Sequence, residues 1–219
     1  MRTNIVTLGA GYAVRAAAAA DAMVATREAV TLLTEFHDGS CTQGAAPGAD
    51  SRRRIRRVSL TPGRARATPE AVSAIAGADT IVLGPASLYS GLLPTLLVRG
   101  IATAIAASRA PVVLVMNLMT EPSETDGYSG ADIVLALRRH VPQLPVAITV
   151  LVNAQPVPEF VIARYARAGQ VPVAVDDATL ANLGCRVVRA DLLEDGAMAR
   201  HDAEKLACAL SGLQPGALQ

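Results

Sequence analysis

Three polar segments of this 219-residue chain hold residue types that can do chemistry. Gly84-Pro85-Ala86-Ser87-Leu88-Tyr89-Ser90-Gly91 offers two serine hydroxyls, and glycines that let backbone N–H groups approach a ligand closely. Ahead of a helix such a turn favours an anion. Its plainer alternative is a βα turn with Ser90 as N-cap, since P-loop spacing is absent. The second segment, Asn117 to Tyr128, carries Glu121, Glu124 and Asp126 within twelve residues. It is longer than most such connections, and its carboxylates and amides suit a metal, a ribose or a hydroxylated sugar. Otherwise it is a solvated connection in which Asp126 or Ser129 caps the next helix. The third, Val152-Asn153-Ala154-Gln155-Pro156, has two amides able to hydrogen-bond a base or sugar. Farther on, Arg200-His201-Asp202 offers a guanidinium for a phosphate and an imidazole for proton transfer, with Asp202 as an N-cap. No nucleophile lies near His201 in sequence, which favours a surface or capping histidine.

The elements that must position these segments follow from apolar patterning. Ile5–Leu8 reads as a strand ending in Gly9-Ala10-Gly11, a better description than a signal peptide. Tyr12 to Met23 has the alanine content of a helix. Val30–Phe36 reads as a strand, His37-Asp38-Gly39-Ser40 as a hairpin turn and Cys41–Gly44 as its return. Ala45–Ser51 reads as a loop and Val58–Leu60 as a third strand. From Thr68 the texture changes: Thr68-Pro69-Glu70 starts a helix, with Thr as N-cap and Pro at the first helical position. Continuous apolar strands follow at Thr80–Leu83, Val112–Met116 and Val146–Val152, with further strands at Val171–Val175 and Arg186–Arg189. Helices are expected at Ile101–Ser108, from Ser129 on, at Pro158–Arg167 and at Ala203–Leu210. Strands without polar alternation, separated by helices, indicate a parallel sheet covered on both faces. The expected fold is α/β, Rossmann-like and doubly wound, with a mainly parallel sheet and a small β-rich insert near the N-terminus. Its expected parts are residues 1–24, a β-rich subdomain at 25–67 and the core at 68–219. In such a sheet ligands bind at the carboxyl ends of the strands, where the three polar segments fall.

Composition limits the function. Twenty basic residues against nineteen acidic ones give +1, so no global field recruits nucleic acid or an anionic membrane. Four Tyr, two Phe and no Trp make base-stacking platforms improbable. Arg52-Arg53-Arg54-Ile55-Arg56-Arg57 is therefore better read as a solvated face or subunit contact than as an RNA site. Cys41, Cys185 and Cys208 form no disulfide framework, which fits a reducing cytoplasm. The apolar run at Ala16–Ala20 is too short to span a bilayer.

Ile81-Val82-Leu83 with the Gly84–Gly91 turn and Leu92-Leu93-Pro94-Thr95-Leu96-Leu97-Val98 resembles the bacterial gluconeogenesis factors (YvcK-like), relatives of 2-phospho-L-lactate transferase (CofD-like). Asn117-Leu118-Met119-Thr120, Glu124-Thr125-Asp126-Gly127-Tyr128, Val152-Asn153, Arg189-Ala190-Asp191-Leu192-Leu193 and Arg200-His201-Asp202 resemble later signatures of that family in order and spacing. The resemblance implies a Rossmann-like core with an inserted subdomain. Its regulatory members bind nucleotide sugars such as UDP-N-acetylglucosamine and support growth on gluconeogenic carbon, cell shape and peptidoglycan supply. Its transferase members use a GDP-activated donor, a deazaflavin precursor and Mg²⁺. Carried over by position, Ser87, Ser90 and Gly91 face the diphosphate. Asn117, Thr120, Thr125 and Asp126 line the cleft, Asn153 approaches base or sugar, and Arg200 contacts the nucleotide sugar. The family's Gly-Gly-Gly-Thr-Gly-type loop is represented only by Gly9-Ala10-Gly11-Tyr12, and its aspartate-rich loops are missing. The expectation is thus a shortened, UDP-sugar-binding regulatory protein without catalytic residues. The alternatives are a GDP-dependent phospholactyl transferase and a non-catalytic oligomerisation partner. A sheet lacking strands would expose an edge for a second subunit.

Overall fold

A computed structural model describes residues 5–9, 13–16, 23–44 and 53–213. A seven-stranded sheet runs in the order β10-β9-β8-β7-β1-β2-β3, built from β1 (Ile5–Gly9), β2 (Ala13–Ala16), β3 (Met23–Val24), β7 (Thr80–Leu83), β8 (Val112–Val115), β9 (Ile148–Asn153) and β10 (Cys185–Ala190). From β1 through β7, β8 and β9 to β10 the pairing is parallel; β2 and β3 add an antiparallel edge. The expected mainly parallel α/β architecture is present, and the large sheet takes strands from both ends of the chain.

Side chains alternate across each strand, and both faces are covered. Ile81 and Leu83 pack with Val112, Leu114 and Val150 in one core, joined by Ile75 of α1 (Pro69–Ala76), Ile101 and Ile105 of α3 (Ile101–Ala107) and Leu137 of α4 (Gly130–His140). Val82, Val113, Val115 and Leu151 point the other way and pack with Leu192 and with Leu210 of α7 (Ala203–Gly212). The helix starts follow the sequence chemistry. Thr68 caps α1, Ser129 and Asp132 form a reciprocal capping box on α4, and Asp202 caps α7. Of the two cap candidates before α4, Ser129 is the one used.

The second sheet, β5-β4-β6, comprises β4 (Thr31–Phe36), β5 (Cys41–Gln43) and β6 (Ile55–Thr61), all antiparallel. Leu32, Phe36, Val58 and Leu60 turn inward and join the first core. His140, at the end of α4, pins this sheet to the rest. Its Nδ1 donates to the Ala136 carbonyl (2.8 Å), so Nε2 is free to accept the Val58 N–H (3.1 Å). The ring also meets Tyr89 edge-on at 5.7 Å.

Three expectations need correction. Ala13–Ala16 and Met23–Val24 are strands, although Tyr12–Met23 has helical composition; pairing with β1 overrides alanine's propensity. Residues 10–12 and 17–22, and the loop expected at 45–51 up to residue 52, lie outside the described residues. Val171–Val175 is not a strand. Pro172 lacks an N–H, and only a bridge to Met119 forms there. After it comes α6 (Asp177–Asn182), capped by Asp176, which the patterning did not announce. Finally, Ser90 is not an N-cap: it lies inside a π-helical turn, Leu88–Leu92, that leads into α2 (Leu93–Leu97).

Candidate functional site

A cleft of about 260 Å³ opens where β7 and β8 end, lined by Ser87, Asn117, Glu121, Tyr165, Gln170 and His201 among others. Through Asn117 and Leu118 it adjoins a second slot of about 140 Å³, walled by Met116, Val152, Val173 and Val175 with Asn153 and Gln155 at its rim. Both lie at carboxyl ends of parallel strands, the general ligand position of open α/β sheets.

The turn after β7 needs its glycine. Gly84 sits at φ +75°, and a Cβ there would come within 3.1 Å of the Ala86 nitrogen. Ser87 then starts the π-turn, and its carbonyl accepts the Leu92 N–H at 2.8 Å and the Gly91 N–H at 3.0 Å. The Tyr89 and Ser90 N–H groups both donate to Glu124 Oε2, at 2.8 and 3.2 Å. The Tyr89 and Ser90 backbone donors are therefore used within the protein, and the buried Glu124 carboxyl is the group they hold. Tyr89 is sealed below. Burial and a hydrogen bond with the Tyr128 hydroxyl (2.9 Å) raise its phenol pKa well above the ordinary value.

The 117–128 loop is held by its own polar groups. Thr125 Oγ1 accepts the Glu121 N–H (2.8 Å), and Asp126 Oδ2 accepts the Ser123 N–H (2.6 Å). Thr120 Oγ1 accepts the Val171 N–H (3.0 Å), and its own N–H donates to Val171 O (2.8 Å). Thr120 and Thr125 are buried, and neither they nor Asp126 line either space. Asn117 lines both spaces, its Nδ2 donating to Ala86 O and Glu121 Oε1, each at 3.0 Å. Glu121 faces the cleft. Burial pushes its carboxyl above the usual range, aided by the nearby Glu124 and opposed by a hydrogen bond from Ser87.

Asn153 shapes the second slot. Its Nδ2 donates to Gln155 O (2.6 Å) and its Oδ1 accepts the Leu192 N–H (3.0 Å). Arg200 is exposed; its neighbours Ala199 and His201 line the cleft instead. His201 is not the surface residue its sequence position favoured. Burial lowers its pKa against a hydrogen bond to the Met116 backbone, and Nε2 is buried without a partner. Tyr165 and Gln170 also line the cleft, and no motif in the sequence marks them. Gln170 reaches the site by donating to Thr120 O (2.8 Å), a contact across fifty positions that no local pattern signals.

The described residues do not assemble the several oxygen ligands that the Mg²⁺ of transferase chemistry wants; Glu121 is a lone carboxylate in the cleft. Glu124 is spent on two N–H groups and Asp126 on Ser123. Among the described residues no cluster of three or more His, Cys, Asp or Glu could hold a metal. No helix among them is long and apolar enough to cross a membrane.

Residues 12–193 match the family of 2-phospho-L-lactate transferase CofD. The chain is 41% identical over 194 residues to a Deinococcus radiodurans relative, covering 88% of this chain and 41% of that one. It is 35% identical over 190 residues to the Bacillus subtilis protein named gluconeogenesis factor, covering 86% of this chain and 60% of that one. A crystal structure of a Bacillus halodurans protein superposes with a TM-score of 0.80 at 36% identity, over 86% of this chain and 61% of that one. The chain thus spans roughly half of these relatives' length. By these matches and the shared α/β fold, it belongs to the CofD-like family that includes the gluconeogenesis factors.

Proposed function

We propose that this chain is a regulatory protein that binds a nucleotide sugar of the UDP-N-acetylglucosamine type, and that binding links carbon metabolism to cell shape and cell-wall supply. One observation carries the reading: two adjoining spaces share Asn117 and Leu118, one polar and one apolar with amides at its rim. A nucleotide sugar has the matching halves, a polyhydroxylated sugar and a flat base. Arg200, beside His201 at the cleft edge, is the cation for the diphosphate between them. The name gluconeogenesis factor carried by relatives agrees with the metabolic part.

Titration calorimetry of the chain with UDP-N-acetylglucosamine, against a GDP control, tests it. Micromolar binding of the uridine sugar, weakened in Arg200→Ala, is expected. A folded protein that binds neither nucleotide would refute the reading. The transferase name of the matched family favours a second reading, a GDP-dependent phospholactyl transferase; turnover of a GDP-linked donor with Mg²⁺ would replace the first by it. A homo-oligomer in the cytoplasm is the expected form, and sedimentation as a strict monomer would count against that part.

A further inference from the structure

We infer that Glu121 is a specificity residue that takes a vicinal diol of the ligand's pyranose, not of its ribose, and that the diphosphate stays outside the polar cleft. This rests on the nucleotide-sugar reading and departs from the expectation that Ser87, Ser90 and Gly91 cradle phosphate.

Hydrogen-bond capacity is the first argument. An ionised carboxylate offers about four acceptor sites. Asn117 Nδ2 fills one on Oε1 and the Ser87 hydroxyl fills another. About two remain, and Glu121 lines the open cleft. Two free acceptor sites on one rigidly held carboxylate match two adjacent hydroxyl donors. The Asn117 and Ser87 bonds fix the carboxylate beforehand, so little freedom is lost on binding.

Charge is the second argument. Among the described residues no Lys or Arg lines the cleft, whereas Glu121 does and Glu124 lies near enough to raise the Glu121 pKa. The Tyr89 and Ser90 N–H groups of the adjoining turn already hold Glu124. A diphosphate inside this space would meet the Glu121 carboxylate in a partly desolvated setting, with Glu124 behind it and no Lys or Arg among the described lining residues. A neutral sugar meets the Glu121 carboxylate together with uncharged hydroxyl and amide groups of Ser87, Tyr165, Asn117 and Gln170.

The test compares Glu121→Gln with the parent chain, both checked for folding by circular dichroism and urea unfolding. Each is titrated with UDP-N-acetylglucosamine and with UDP, with EDTA present and again with Mg²⁺. The parent is expected to prefer the sugar nucleotide. The variant should lose that preference by roughly tenfold to hundredfold, the loss of hydrogen bonds to a charged acceptor, while holding or tightening UDP. If Glu121→Gln tightens both ligands alike, the diphosphate occupies the cleft; the inference fails and the nucleotide-sugar reading stands. Binding by the parent that needs Mg²⁺ and vanishes in the variant would make Glu121 a metal ligand, and again only the inference falls. A folded parent chain that binds neither ligand overturns the nucleotide-sugar reading and the inference with it.

Discussion

Along β7 and β8 every residue is buried, whereas β4 and β6 alternate between buried and open positions. The large sheet is sandwiched between helices, so both parities of its strands must be apolar. The small sheet rests one face on the same core and leaves the other to water. That is where Arg56 and Arg57 stand, and Arg56 meets Glu35 across the strands at 2.7 Å. Both arginines belong to β6, and Arg53, just before the strand, lies over the Phe36 ring. The same backbone geometry yields opposite sequence textures, and what covers each face decides which.

That contrast can be broken or sharpened by three substitutions. The largest effect belongs to Leu83→Ala, at the centre of the large sheet with no exposed surface. It should cost about 3–4 kcal/mol in urea unfolding; a loss near 1 kcal/mol would mean the sandwiched core is not what holds the fold. The intermediate effect is at the seam. His140→Ala leaves the Val58 N–H without its acceptor and should cost about 1–3 kcal/mol. The seam also has a pH signature. Burial, with Arg139 and Arg57 nearby, holds the His140 pKa below its ordinary 6.5, so the unfolded chain takes up the proton first. Its contribution is fully present above about pH 6.5 and is lost as pH falls through the lower folded value. Stability should fall as pH drops below about 6.5 and fall less steeply in His140→Ala; His201, lowered in the same direction, supplies a slope that remains. Parallel slopes in the two proteins would remove His140 from this role. The smallest effect is Arg56→Ala on the wet face, where the pair with Glu35 is half exposed and worth at most about 1 kcal/mol.

Much of the fold is legible in the chain because burial writes itself as pattern. Thr80–Leu83 and Val112–Val115 are continuous apolar runs, and Thr68-Pro69 announces α1 in two residues. The failures have physical causes. Alanine at 16–20 argues for a helix, yet Ala13–Ala16 pairs with β1, a non-local contact that propensity cannot see. Val171–Val175 looks like a strand because its valines are apolar, but Val173 and Val175 wall a slot instead. The three loops of the site were legible by position at strand ends. The partners of their side chains were not: Thr120 closes on Val171 and Asn153 on Leu192, links set by the fold and not by neighbours in sequence.

The Glu124 carboxylate on the Tyr89 and Ser90 amides has one more consequence. It acts as a tethered competitor, bound to the chain that it occupies. Its effective concentration at the turn is of millimolar order or above, as for any short linkage, and no dilution removes it. A free phosphate reaches those amides only by displacing it, and the freed carboxylate then loses two donors in a buried position. The turn thus has the shape of an anion receptor while its apparent affinity for outside anions is reduced by a built-in guest. Any ligand that does bind beside it is selected by its other groups.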